Sequence, residues 1–294
     1  MAAQYIFTVF TSASESNMNV YHSTDATNFD LVKENAYVGN SSVHLPSIVC
    51  NLLTHISHVL QTPLNGLLRD PSPIYHKNNY YIAHTTGWEG RNFALAKSAN
   101  LVDWVLHTTV QVPDPLITRT WAPEFFKDPR TGKTHIIVSL GETLSDFEAY
   151  LYTATDDTFL NWSGPQLMTG IGPNYIDTFV LYKASADGTY KYHAFSKNES
   201  AKYIEHATSQ SLTGPWNFIQ TGDFAGWGRA EGPCITTMGS AAGGDLKYRL
   251  FADGYDSGKY IYSDSADLTT WSKFQEVPNG LSGKIRHGTV LRIA

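Results

Sequence analysis

Charge is scarce in this sequence. Only 16% of its 294 residues are Asp, Glu, Lys or Arg, against roughly 25% in an average soluble protein. Lys and Arg never cluster and the pI is near 6.0, which excludes a typical nucleic-acid binder. The Ala/Glu/Lys/Leu/Arg richness of a coiled coil or long helical bundle is also missing. No apolar run approaches the roughly 18 residues of a membrane span, so no membrane partner is expected. Two cysteines, Cys50 and Cys234, are too few for a disulfide framework, and no CxxC pair suggests a metal. A lone Cys50–Cys234 bridge is the one pairing available. The opening residues, MAAQYIFTVFTSASES, lack the basic and long apolar stretches of a secretory signal. Disorder is excluded too, because 42% of residues are hydrophobic and the net charge is only −6.

Aromatic residues are what the chain has in quantity: 17 Tyr, 14 Phe and 7 Trp, or 13%. They recur in a pattern. Five segments share a short strand, a Ser/Thr turn with Asp or Asn, and an aromatic opening another strand: VYHSTDATNFDLV, FALAKSANLVDWVLH, LYTATDDTFLNWSGPQL, IEHATSQSLTGPWNFI and IYSDSADLTTWSKF. Their anchoring aromatics, Phe29, Trp104, Trp162, Trp216 and Trp271, stand 75, 58, 54 and 55 residues apart by subtraction. Upstream of each lie apolar hairpins such as PIYHKNNYYIAHT and FVLYKASADGTYKYHAFS, with Lys-Asn-Asn and Ala-Asp-Gly as turns. Four strands repeated five times predict an all-β, five-bladed β-propeller forming one domain over 1–294. The chain starts on a second strand (QYIFTVFT) and ends on a first strand (GTVLRIA). The C-terminal strand is therefore expected to pair with the N-terminal blade and remove the open edge. The first spacing is about 20 residues too long, and the excess falls in 41–66. That stretch reads as a lid, a neutral surface insertion or a translated non-coding segment.

Propeller blades aim the starts of their inner strands at the axis. The five candidate starts are RDPSPIY, WAPEFFK, IDTFVLY, EGPCITT and HGTVLRI. Four place a titratable residue at what reads as one register: Asp70, Asp177, Glu231 and His287. WAPEFFK places Ala122 there, after Trp121. Carboxyl groups converging on one pocket are costly unless they do chemistry. Inverting glycoside hydrolysis uses such groups: one acid protonates the leaving oxygen while a carboxylate activates water on the opposite face. A third carboxylate can raise the acid's pKa. Strand alternation puts Glu124 on the inward face, where it can bind a sugar hydroxyl. Trp88 and Trp227 lie in Gly-flanked loops and are candidate sugar platforms, Trp227 the stronger because it precedes Glu231 by four residues. The five turn aromatics are expected in the core.

At these residues the chain resembles glycoside hydrolase family 43. The motifs are Arg69-Asp70-Pro71, Trp121-Ala122-Pro123-Glu124, Ile176-Asp177, Glu231-Gly232-Pro233 and Arg286-His287-Gly288. They cover the whole chain apart from 41–66. The resemblance implies Asp70 as general base, Glu231 as general acid and Asp177 as the residue tuning Glu231. It puts Trp121 in the wall of the −1 sugar subsite, with Arg286 and His287 nearby. No cofactor is required, and the family leaves room for a Ca²⁺ ion near the axis beside His287. The expected activity is an inverting, exo-acting α-L-arabinofuranosidase or exo-arabinanase on plant cell-wall polysaccharide, acting as a monomer on carbohydrate. A β-xylosidase comes next, then a galactan-acting enzyme. A non-catalytic sugar-binding propeller is the reading of another class. A fructan-acting relative would carry Asn-Asp-Pro where this chain has Arg69-Asp70-Pro71. Polysaccharide substrates imply secretion, while the N-terminus carries no signal, so extracellular and intracellular locations both stay open.

Overall fold

The structure, a computed structural model, describes residues 3–39, 66–184, 188–239 and 247–293. Two features fall outside them: the segment 41–65, and the Cys50 half of the Cys50–Cys234 pairing. Cys234 itself is buried.

The described chain forms five four-stranded antiparallel sheets. Blade I holds β1 (Gln4–Thr11), β2 (Ser14–Ser23) and β3 (Asp30–Val38). Blade II holds β4 (Arg69–His76), β5 (Asn79–Thr85), β6 (Asn92–Ser98) and β7 (Trp104–Gln111). Blade III holds β8 (Arg119–Lys127), β9 (Thr134–Gly141), β10 (Glu148–Ala154) and β11 (Trp162–Leu167). Blade IV holds β12 (Tyr175–Ala184), β13 (Tyr190–Asn198), β14 (Ile204–Ser209) and β15 (Asn217–Gln220). Blade V holds β16 (Glu231–Met238), β17 (Lys247–Gly254), β18 (Lys259–Ser265) and β19 (Gln275–Glu276). The last strand, β20 (Ile285–Ile293), is the inner strand of blade I and pairs antiparallel with β1 from Gln4↔Ile293 to Thr11↔Ile285. This is the five-bladed propeller closed by its own C-terminus. Among the described residues there is no helix long and apolar enough to cross a membrane.

The repeat has a local cause. In three blades a Ser hydroxyl donates to an Asp or Asn two residues on: Ser23 to Asp25 at 2.9 Å, Ser98 to Asn100 at 3.1 Å and Ser265 to Asp267 at 3.1 Å. That side-chain oxygen then accepts the next two free backbone N–H groups, as Asp267 Oδ1 does from Thr269 at 2.8 Å and Thr270 at 2.7 Å. These are Asx turns, which Asp and Asn favour because the side chain mimics a backbone carbonyl. Leu101 and Leu268 in blades II and V, and Phe159 at the corresponding turn of blade III, are left-handed, and the carbonyl of each accepts the indole N–H of the anchoring Trp. Phe29, Trp104 and Trp216 are buried, whereas Trp162 and Trp271 are half-buried at the ends of the turns. The β4–β5 hairpin turns on Lys77 and Asn78, with φ of 47° and 61°. Two positive values mark the turn whose twist matches the strands.

The core is five wedges, one between each pair of neighbouring blades. Phe7, Phe29, Phe251 and Tyr260 fill the wedge between blades I and V. Phe93, Phe125, Phe159 and Tyr152 fill that between II and III. Both faces of every blade are therefore covered. That is why the strands need apolar side chains on both faces and why charge is so scarce.

Candidate active site

The inner strands of four blades share one irregularity. Pairing jumps from Arg69 to Ser72 in β4, Trp121 to Glu124 in β8, Ile176 to Phe179 in β12 and Glu231 to Cys234 in β16. The first skipped residue is left-handed in each: Asp70 (φ 54°), Ala122 (49°), Asp177 (57°) and Gly232 (59°). Such bulges re-aim side chains, and here they turn Asp70 and Asp177 toward the axis. The expectation that Glu231 shares their register is corrected: it stands one residue earlier, at the position of Arg69 and Trp121. Gly232 occupies the aspartate position because a Cβ there would lie 2.4 Å from the His287 ring.

A cavity of about 450 Å³ opens where these strands begin. Its wall includes Asp70, Asp177, Glu231, His287, Arg286 and Trp121. Asp70, on blade II, is buried. Its Oδ1 lies 3.2 Å from His287 Nδ1, and Thr85 Oγ1 donates to its Oδ2 at 2.7 Å. Burial alone would raise its pKa, but the His287 charge and hydrogen bond, with Arg69 and Thr85, hold it well below the usual carboxylate range. Asp177, on blade IV, accepts from the Gly232 N–H at 3.0 Å and lies 3.7 Å from His287. Burial pushes its pKa up to about 6, His287 opposes that, and the Glu231 charge adds to it. His287 is raised to about 9, because Asp177 and Asp70 outweigh the effect of burial.

Glu231, on blade V, meets two cations. Lys197 Nζ donates to its Oε2 at 2.9 Å and Arg286 Nη2 to its Oε1 at 3.0 Å. Burial works to raise its pKa, but Lys197, His287 and Arg286 bring it below the ordinary value. Arg286 also donates through Nε to Asp253 Oδ2 at 2.6 Å. Lys197, buried on β13, has a second carboxylate, Glu199, at 2.9 Å, and lies over the Tyr255 ring at 4.6 Å. On the opposite wall Trp121 packs against Phe147 with ring centroids 4.6 Å apart and donates its indole N–H to the Trp88 carbonyl at 3.0 Å. Trp88 lies edge-on to it and covers the Arg69 guanidinium at 4.0 Å.

Two residues are not brought to the cavity. Trp227 is buried in the wedge between blades IV and V, edge-on to Phe224 and Trp271. Its apolar ring is worth more in that contact than in solvent, so the proposed sugar platform is corrected to a packing residue. Glu124 lies deeper along the axis. Its two oxygens accept from Ser72 and Thr289, each at 2.8 Å, so the proposed sugar contact is corrected to a buried tie between blades. Lys197 and Asp253 carry no motif in the sequence, and Arg69 stands there only as the neighbour of Asp70. The available signal was a charged residue near the end of a strand with an apolar stretch, as in HAFSKN and RLFADG.

His287 does not fit as a calcium ligand. Its Nδ1 faces Asp70 at 3.2 Å, and an imidazole offers a nitrogen where Ca²⁺ takes six to eight oxygens. Among the described residues no group of three or more His, Cys, Asp or Glu is arranged for a metal.

Known structures share this fold at low identity. An exo-β-1,3-galactanase from Clostridium thermocellum is 16% identical with a TM-score of 0.51, over 71% of this chain and 48% of its own. The chain thus spans about half the length of that enzyme. An arabinanase from Bacillus subtilis is 20% identical with a TM-score of 0.51, over 77% of this chain and 81% of its own. An α-L-arabinofuranosidase from Lactobacillus brevis is 16% identical with a TM-score of 0.51, over 70% and 72%. No curated protein matches the sequence. The model of a family related to glycoside hydrolase family 43, described as "Probable glycosyl hydrolase domain", matches residues 2–294, and the chain belongs to this family.

Proposed function

We propose that the protein is an inverting, exo-acting glycosidase that removes terminal L-arabinofuranosyl units from plant cell-wall polysaccharide. The observation that carries this reading is one small cavity holding three carboxyl groups from three blades in different electrostatic states. Asp70 is ionised at any working pH, as a general base must be. In the proposed step a water oxygen bonds to the anomeric carbon and gives its proton to Asp70. The bond to the leaving oxygen breaks, and that oxygen takes the proton of Glu231. Asp177 holds the Gly232 backbone and so positions Glu231. Trp121 offers its ring to the sugar's C–H face. A volume of about 450 Å³ lies toward the lower end of small-ligand sites, roughly 300–1,000 Å³, which suits a terminal sugar better than a long chain.

The choice of arabinose is supported by the named activities of an arabinanase and an arabinofuranosidase among the structural relatives. A galactanase stands beside them, so galactan is tested together with arabinose and xylose substrates. One observation favours a second reading, a non-catalytic sugar-binding propeller: both oxygens of Glu231 are engaged by cations. A release assay on p-nitrophenyl α-L-arabinofuranoside and β-D-xyloside, with linear arabinan and β-1,3-galactan, separates the two. Hydrolysis of the arabinofuranoside, lost by about 10²–10⁴-fold in Asp70→Asn and in Glu231→Gln, is the expected result. Sugar binding with no release by the wild type establishes the second reading instead.

A further inference from the structure

Asp253 belongs to neither the cavity wall nor the family motifs, yet both halves of the site hang on it. It sits on β17, paired with Glu231 across β16, and is 2% exposed. One oxygen, Oδ2, accepts from Arg286 Nε at 2.6 Å and from the His287 backbone N–H at 3.0 Å. Arg286 continues to Glu231 Oε1 at 3.0 Å, and His287 continues to Asp70 at 3.2 Å. The two carboxylates proposed as acid and base are therefore linked through a third that touches no substrate.

We infer that Asp253 is a positioning residue, which fixes Arg286 against Glu231 and His287 against Asp70 and thereby sets the protonation of both. This rests on the hydrolytic reading above. The geometry makes an accidental role hard to sustain. A carboxylate this deeply buried is expensive unless paired, and its partners are two consecutive residues of the closing strand. The link crosses between blades, because β17 and β20 belong to different sheets, so one carboxylate oxygen orients two consecutive residues of a strand that its own strand does not pair with. The other charges facing Glu231 are Lys197 from β13, Asp177 from β12, and Arg286 and His287 from β20. Around Asp253 stand Arg286, Glu231 and the buried Tyr260 hydroxyl from β18.

The test is Asp253→Asn, which keeps the shape and removes the charge. Arg286 then keeps its full charge beside Glu231, so Glu231 gives up its proton at lower pH. The basic limb of kcat/KM is expected to move to lower pH, with kcat down about tenfold or more and KM changed less than about threefold. A fall in activity with an unmoved pH profile, matching only a loss of folded protein, overturns the inference. Should Asp253→Asn not fold, Arg286→Gln tests the same linkage. Removing that cation is expected to move the limb to higher pH, and an unmoved limb overturns the proposal. If no glycoside is turned over by the wild type, the hydrolytic reading fails by itself. Titration of the ¹³C-labelled Glu231 carboxyl then still decides on Asp253: a lower midpoint in Asp253→Asn supports the linkage and an unchanged one sinks it.

Discussion

Asp70 and Asp177 occupy the same position in two blades, with the same left-handed backbone and similar burial, yet they titrate far apart. Burial pushes both upward. Around Asp70 the nearby His287 charge and three hydrogen-bonding or cationic partners win, whereas Asp177 looks across at Glu231 and stays near 6. Pairs of acids pushed apart in this way mark division of labour. Glu231, lowered by Lys197 and Arg286, gives its proton readily but is protonated only in acid. The kcat/KM profile is therefore expected to peak at acidic pH and to fall about tenfold per unit on the basic side. Lys197→Met removes one of the two cations and is expected to move that limb to higher pH. A limb that stays put removes Lys197 from control of the acid.

At the scale of the element, the strand-opening bulge explains what could and could not be read beforehand. The Asx turns and their Trp anchors are written in contiguous residues, so the blades were legible. Asp70 and Asp177 were legible too, because each sits inside a repeating strand start. The offset of Glu231 was not, because a two-residue bulge is invisible in a string of letters and Gly232 is dictated by the ring of a residue 55 positions on. Trp227 was misplaced for a related reason: Gly neighbours suggest an exposed loop, but the wedge between blades IV and V closes over the indole. Gly232→Ala is expected to cost about 1–2 kcal/mol for the backbone conformation alone. The displaced His287 ring should lower kcat as well. A thermal melt and a kcat measurement on one preparation check this; an alanine variant with wild-type turnover refutes the packing of His287 on Gly232.

For the molecule as a whole, the wedges and the closing strand β20 bring the buried charges to the axis, and those charges give stability a pH dependence. His287, raised to about 9, stabilises fully below its unfolded value near 6.5, and that contribution is lost as pH rises toward 9. Glu124 is pushed by burial up to about 7, against the hydrogen bonds of Thr289 and Ser72. Its contribution is lost as pH rises from about 4.3 to 7. Asp70, held low, acts oppositely and loses its contribution only in strong acid. Tm is thus expected to be highest in mild acid and to decline through neutrality. Glu124→Gln should flatten the decline between about pH 4.5 and 7. A Tm curve as steep in this variant as in the wild type counts against Glu124 as its source.

The sequence by itself determined the number of blades, the turns that end them and the closure by the last strand. The blades and turns rest on local periodicity and on short-range hydrogen bonds between residues two or three apart, and the closure on the strand order within the repeat, which leaves the last strand to pair with β1. Only the tertiary structure decided which charges meet. Lys197 and Arg286 come from strands of blades IV and I, and no local pattern records that both meet Glu231, or that Arg286 also meets Asp253 of blade V. The physical reason is that a buried carboxylate takes its proton affinity from every charge within a few ångströms, whatever their distance along the chain.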